Sequence, residues 1–139
     1  MKISTAQLAQ ICGVSQGTID RALNNRSGIS YETKKKIVDA AISYGYRPNA
    51  SAESRQVGII VFNLNNEYLT NLVTEVEFAL RKFGFTATVM LSHYDKAYEI
   101  ECIKKLYASG VDGIILCSVN SGEEFVRFIS TLDIPITCV

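Results

Sequence analysis

No two of the four cysteines, Cys12, Cys102, Cys117 and Cys138, stand close enough to make the paired spacing of a zinc site or a redox disulfide. Each lies in or beside an apolar run, so buried free thiols are the expectation, with no metal and no cofactor. No apolar run approaches the length that spans a bilayer, and no charged-then-apolar leader opens the chain. Cytoplasm, with reduced thiols and no membrane, is the expected setting. Net charge is missing too, at a formal +0, which would argue against nucleic acid if it were evenly spread. It is not. Through residue 56 eight basic side chains (Lys2, Arg21, Arg26, Lys34, Lys35, Lys36, Arg47, Arg55) face four acidic ones (Asp20, Glu32, Asp39, Glu53), a surplus of +4; the remainder carries −4. A basic head on an acidic body concentrates affinity for a polyanion in the head.

What is present centres on residues 4–24. Leu8 and Ile11 are placed to share one face of a first short helix, Ile19 and Leu23 one face of a second, and Val14 fills the angle between them. Gly13 supplies the positive φ of a tight turn, while Ser4 and Ser15 are placed to cap the two helices. With its apolar face inward, the second helix offers Gln16, Gly17, Thr18, Arg21 and Asn24 outward. Arg21 can present a fork to guanine and Gln16 a matched donor and acceptor to adenine; Ser15, Thr18 and the free amides of the helix start suit phosphate. The pattern is that of a helix-turn-helix for the major groove. A third helix, capped by Ser30 and stopped at Gly45, sets Thr33, Ile37, Ala40, Ala41 and Tyr44 on one face to close the core. Lys34, Lys35 and Lys36 would then lie outward, either facing phosphate or merely solvated.

Ala9, Gly13-Val14-Ser15, Thr18-Ile19, Arg21-Ala22-Leu23-Asn24, Ser30, Thr33 and Gly45-Tyr46-Arg47-Pro48-Asn49 together resemble the headpiece of the lactose-repressor (LacI/GalR) family of bacterial transcription regulators. Val57-Gly58-Ile59-Ile60 and Val111-Asp112-Gly113-Ile114-Ile115 extend the resemblance over nearly the whole chain. It implies a DNA-contacting set of Ser4, Thr5, Ser15, Gln16, Gly17, Thr18, Arg21, Asn24 and Asn49, a homodimer, and a palindromic double-stranded operator. Two positions depart from the usual pattern. Gly17 stands where the family often carries a base-reading side chain, and Asp20 stands where a small hydroxyl is common, its charge calling for a cytosine amino donor or, the preferred reading, pairing with an arginine.

Pro48 ends the expected headpiece (1–48), and Asn49–Gln56, small and polar, reads as a linker (49–56). In the resembled family this region forms a longer hinge helix whose leucine wedges into the minor groove. No leucine lies between Pro48 and Gly58 here, so a flexible tether or at most one helical turn is expected. From residue 57 to 139, charge-free apolar runs at Val57–Phe62, Thr86–Leu91, Gly113–Cys117 and Pro135–Val139 alternate with helical patterns ending at Gly84, Gly110 and before Pro135. The expected fold is βαβαβαβ, an open parallel sheet with strands covered on both faces, resembling an incomplete N-terminal lobe of a periplasmic-binding-protein-like domain. Its last strand would lack a covering helix, which points to a fragment or a shortened gene product.

Ligands of such sheets bind beyond the carboxyl ends of the strands. Those ends carry Asn63 to Asn66 with Tyr68 nearby, Ser92-His93-Tyr94, and Cys117 to Asn120. Asn65, Tyr68, Ser118 and Asn120 are the candidates for a small polar effector such as a sugar, against the alternative that they are turn and cap residues. An enzyme is not expected, and there is no catalytic candidate. Phe62-Asn63-Leu64-Asn65-Asn66 has no glycine for a dinucleotide, the first and third strand ends carry no phosphoacceptor carboxylate, and His93 has no assignable nucleophile partner. The other alternative is a sugar-binding protein or fragment without regulatory activity of its own.

Overall fold

Residues 3–24, 26–46 and 55–139 are described by a computed structural model. Three helices come first: α1 (Thr5–Cys12), α2 (Gln16–Leu23) and α3 (Tyr31–Ser43). Each opens on a serine whose hydroxyl accepts from the amide three residues on, Ser4 from Gln7 (3.1 Å), Ser15 from Thr18 (3.2 Å) and Ser30 from Thr33 (3.2 Å). Gln7 Oε1 accepts in return from the Ser4 amide at 2.8 Å, closing a capping box. Such a cap contributes about 1 kcal/mol. Gly13, at φ 69°, ends α1 in the left-handed region and swings the chain into α2.

The faces are rotated from those the spacing predicts. Leu8, Ala9 and Cys12 are buried in α1, while Ile11 is 44% exposed. In α3 the buried residues are Ile37, Val38, Ala41 and Ile42, and Tyr44 is 47% exposed. The reason lies in neighbours rather than propensity. A helix advances about 100° per residue, so Val38 and Ile42 sit off the Ile37–Ala41 stripe, on the side that meets the rest of the chain.

Four strands, β1 (Gln56–Val61), β2 (Thr86–Leu91), β3 (Gly113–Leu116) and β4 (Ile136–Cys138), form one parallel sheet in the order β2-β1-β3-β4. The intervening helices are α4 (Glu67–Lys82), α5 (Lys96–Ala108) and α6 (Glu123–Ser130). Ile59 and Val61 pack with Leu69, Leu72, Val73 and Val76 of α4 on one face. Ile60, Ile114 and Leu116 pack with α5 and α6 residues on the other. Central β1 is thus covered twice, as its charge-free sequence requires. The edges are not: Thr86, Thr88 and Val89 of β2 are exposed, which corrects the expectation of cover on both faces there, and Thr137 and Cys138 of β4 are exposed, in line with a last strand that lacks a covering helix. Gln56, expected in the linker, is the first residue of β1, its amide donating to Asp112 Oδ2 at 2.9 Å. The rest of the expected linker, save Arg55, lies outside the described residues.

Cys12, Cys102 and Cys117 are buried, and burial raises their thiol pKa values above the ordinary range, leaving them protonated and unreactive. Cys138 corrects the fourth expectation, being exposed on an edge strand. No His, Cys, Asp and Glu cluster suited to a metal occurs among the described residues, and no helix there is long and apolar enough to cross a membrane.

Gly58 shows how closely α5 lies on β1. A Cβ there would meet Leu106 Cδ1 at 2.5 Å, and Leu106 is itself buried. Gly58→Ala is therefore expected to destabilise the chain by about 1–3 kcal/mol through overpacking, read as a lowered urea midpoint at unchanged slope.

Candidate nucleic-acid interface

Ile19, Ala22 and Leu23 anchor α2 in the three-helix core, so the opposite side of the helix is committed to solvent. Gln16, Gly17, Asp20, Arg21 and Asn24 are exposed there and Thr18 is half-buried. Among the described residues the Arg21 side chain has no hydrogen bond or ion pair. Ser15 Oγ lies 2.9 Å from Thr18 Oγ1 in addition to capping the helix, so the two hydroxyls form one polar corner at its start. At Gly17 an added Cβ would meet only Ser15 Oγ, at 3.8 Å, so the glycine leaves a flat patch of backbone rather than filling a tight contact.

Asp20 is compensated locally. Its carboxylate lies 3.3 Å from Arg26 and accepts from Asn24 Nδ2 at 2.7 Å. The pairing expected of Asp20 is therefore made with the loop arginine beyond the helix, leaving Arg21 free to face outward. Asn24 is only partly available, because its amide group is directed onto Asp20 and onto the Asp20 carbonyl at 3.0 Å. Thr5 Oγ1 lies 2.6 Å from the Tyr46 hydroxyl, tying the start of α1 to the segment after α3. Ser4 caps α1 from an exposed position, and Asn49 lies outside the described residues. Lys35 and Lys36 are exposed but Lys34 is half-buried, so the three lysines do not form one outward cluster.

At the carboxyl ends of the strands the four candidates divide. Asn65 and Tyr68 are exposed, with the Asn65 amide held by Asn63 Oδ1 at 3.1 Å. Ser118 and Asn120 turn inward to Glu99 of α5, which is fully buried. Its Oε1 accepts from Ser118 Oγ at 2.5 Å and Asn120 Nδ2 at 3.0 Å, and its Oε2 accepts from the Val119 amide at 2.8 Å. No hydrogen bond joins the two pairs. Between them, Phe62 and Tyr94 stack at 4.7 Å and Asn63 Nδ2 donates to the Tyr94 hydroxyl at 2.9 Å. His93 and Tyr94 take φ 53° and 62°, a left-handed turn uncommon outside glycine, held where the Ser92 and His93 amides donate to Val61 and Phe62 carbonyls. Sequence reasoning missed Glu99. The signal was its register: it falls one turn from Cys102 and Ile103 on the buried face of α5, where a carboxylate must find donors.

Residues 6–49 match the bacterial regulatory proteins of the lacI family, and residues 54–139 match the periplasmic binding proteins and sugar binding domain of that family. The chain belongs to the lacI family. Among curated relatives of this lacI-family chain, the HTH-type transcriptional regulator RegA of Clostridium saccharobutylicum is 30% identical over 145 residues, covering 100% of this chain and 44% of that protein. The sucrose operon repressor of Pediococcus pentosaceus is 31% identical over 135 residues, covering 92% of this chain and 41% of the repressor. The chain thus spans less than half the length of these relatives. The lac repressor dimer bound to operator and the anti-inducer ONPF shares the fold, with a TM-score of 0.58 and 19% identity over 99% of this chain and 44% of that one.

Proposed function

We propose that this chain is the DNA-reading headpiece (1–48), linker (49–56) and first part of the effector-binding and dimerisation domain (57–139) of a sequence-specific transcription regulator. In this reading it is a cytoplasmic repressor rather than an enzyme, acting as a homodimer on a palindromic operator. The observation that carries the reading is the outer face of α2. Its apolar side is fixed in the core, and Gln16, Gly17 and Arg21 are left exposed on the basic end of a chain whose remainder is acidic. Ser4, Thr5, Ser15, Thr18, Asn24 and Asn49 complete the contact set, with Ser15 and Thr18 at the helix start suited to phosphate and Asn24 offering its carbonyl oxygen. Two-fold symmetry fits the small area that one such headpiece can bury on DNA.

For the body, the proposed ligand is a small polar metabolite of the sugar class. The sucrose-repressor name of one relative supports that class, as do the exposed Asn65 and Tyr68. Ser118 and Asn120 would act in it through the turn that Glu99 holds. The decisive measurement is an electrophoretic shift on a selected duplex and on random duplex at two salt concentrations. A preferred duplex and a steep loss of affinity with salt are expected. Absence of any shift at low salt overturns the reading, leaving a small-molecule-binding protein without DNA function.

A further inference from the structure

The three-helix unit is not a free appendage in this structure. Its buried residues and those on the α5 side of the sheet form one continuous apolar cluster, and α3 lies directly on α5. Ile100, Glu101 and Lys104 project from the outer side of α5, while Glu99, Cys102 and Ile103 are buried toward the sheet. Lys104 Nζ reaches Asp39 Oδ1 of α3 at 2.7 Å, and the Tyr31 hydroxyl lies 3.4 Å from Glu101. The rotation of α3 that buries Val38 has its cause here. The seam is nevertheless poorly filled. A cavity of about 300 Å³ remains between the helices, lined by Tyr31, Lys34, Lys35 and Val38 on one side and by Ile100 and Lys104 on the other. With Tyr31 and Lys35 exposed at its rim, this space is a groove open to solvent, so the headpiece meets α5 through a partial contact rather than a closed core.

Of the lysines suited to phosphate, Lys34 is thus half-buried at the seam, while Lys35, Gln16 and Arg21 stay exposed. We propose that the outer face of α5 is an intramolecular docking surface for the headpiece, and that leaving it releases the half-buried Lys34 to duplex phosphate. The inference rests on the DNA-binding reading above. It makes the body a restraint on non-specific binding, with Asp39–Lys104 as the polar lock.

The test is Lys104→Glu in the full chain, which sets like charges against each other across the seam without touching either core. Small-angle scattering should show an expanded particle, and affinity for random-sequence duplex should rise about 3–10-fold. The log–log salt slope should steepen by about 1, for one added phosphate contact. That direction is diagnostic, because losing a cation by itself weakens binding to DNA. The exchanged pair Asp39→Lys with Lys104→Asp should return the scattering profile to the compact form. An unchanged profile in Lys104→Glu, or duplex affinity equal to or below that of a binding parent chain, overturns the docking proposal. A parent and a variant that both fail to bind any duplex overturn the DNA reading instead, and with it the released role of Lys34.

Discussion

Glu99→Ala is expected to lower the melting temperature of this chain by about 10 °C, the consequence of losing about 3 kcal/mol at a single buried carboxylate. The side chain is wholly buried and accepts from three donors at once, the Ser118 hydroxyl, the Asn120 amide group and the Val119 backbone amide. Two of the three keep a second partner after truncation. Ser118 Oγ also reaches the Asn120 carbonyl at 3.1 Å, and Asn120 Nδ2 the Lys96 carbonyl at 3.0 Å. The Val119 amide keeps none that replaces the carboxylate, so it carries most of the unsatisfied-donor cost, and the void left by the side chain adds the rest. Glu99→Gln separates the two contributions. It keeps the volume and one acceptor oxygen, but its amide group must face at least one of three donors, so a loss of about 1–3 kcal/mol should persist. A glutamine variant as stable as the parent, measured by calorimetry or urea unfolding, would mean that the turn does not depend on the carboxylate.

Local signals carried well from sequence to fold. Serines at 4, 15 and 30 cap three helices because the chemistry acts within a single turn, and Gly13 reverses the chain because only its own φ is at stake. The parallel sheet and the alternation of strands with helices were legible for a similar reason, charge-free runs between helical patterns, whereas the order β2-β1-β3-β4 came from the structure alone. What escaped the sequence depends on partners distant along the chain. Ala9 and Cys12 displace Ile11 from the core because of where α2 and α3 sit, and Val38 is buried because α5 covers it. Glu99 looked like an ordinary charged helix residue until its donors arrived from the loop after β3, some twenty residues on. At the nucleic-acid interface, residue types pointed to the outward face of α2. That Asp20 occupies both Arg26 and the amide of Asn24 required coordinates.

Arg21→Ala should weaken binding to the preferred duplex by about 1–3 kcal/mol, roughly 5- to 150-fold in Kd, with the fold undisturbed. The expectation follows from what the side chain does not do. It is exposed and makes no hydrogen bond or ion pair among the described residues, so its removal leaves no buried partner stranded and stability should stay within about 0.5 kcal/mol. Asp20, its neighbour in sequence, is instead held by Arg26 and Asn24. The guanidinium therefore remains available for a two-pronged contact. Lysine lacks the rigid planar fork, so Arg21→Lys should recover the part of the loss due to charge and only a fraction of the part due to base reading. Selection of preferred sites from a randomised duplex pool distinguishes the roles. A base-reading Arg21 predicts relaxed discrimination at one base pair per half-site in both variants. A phosphate-binding Arg21 predicts uniform weakening, a salt slope smaller by about 1, and rescue by lysine. Parent-like affinity and an unchanged site profile in Arg21→Ala would place the duplex on some other face of the headpiece.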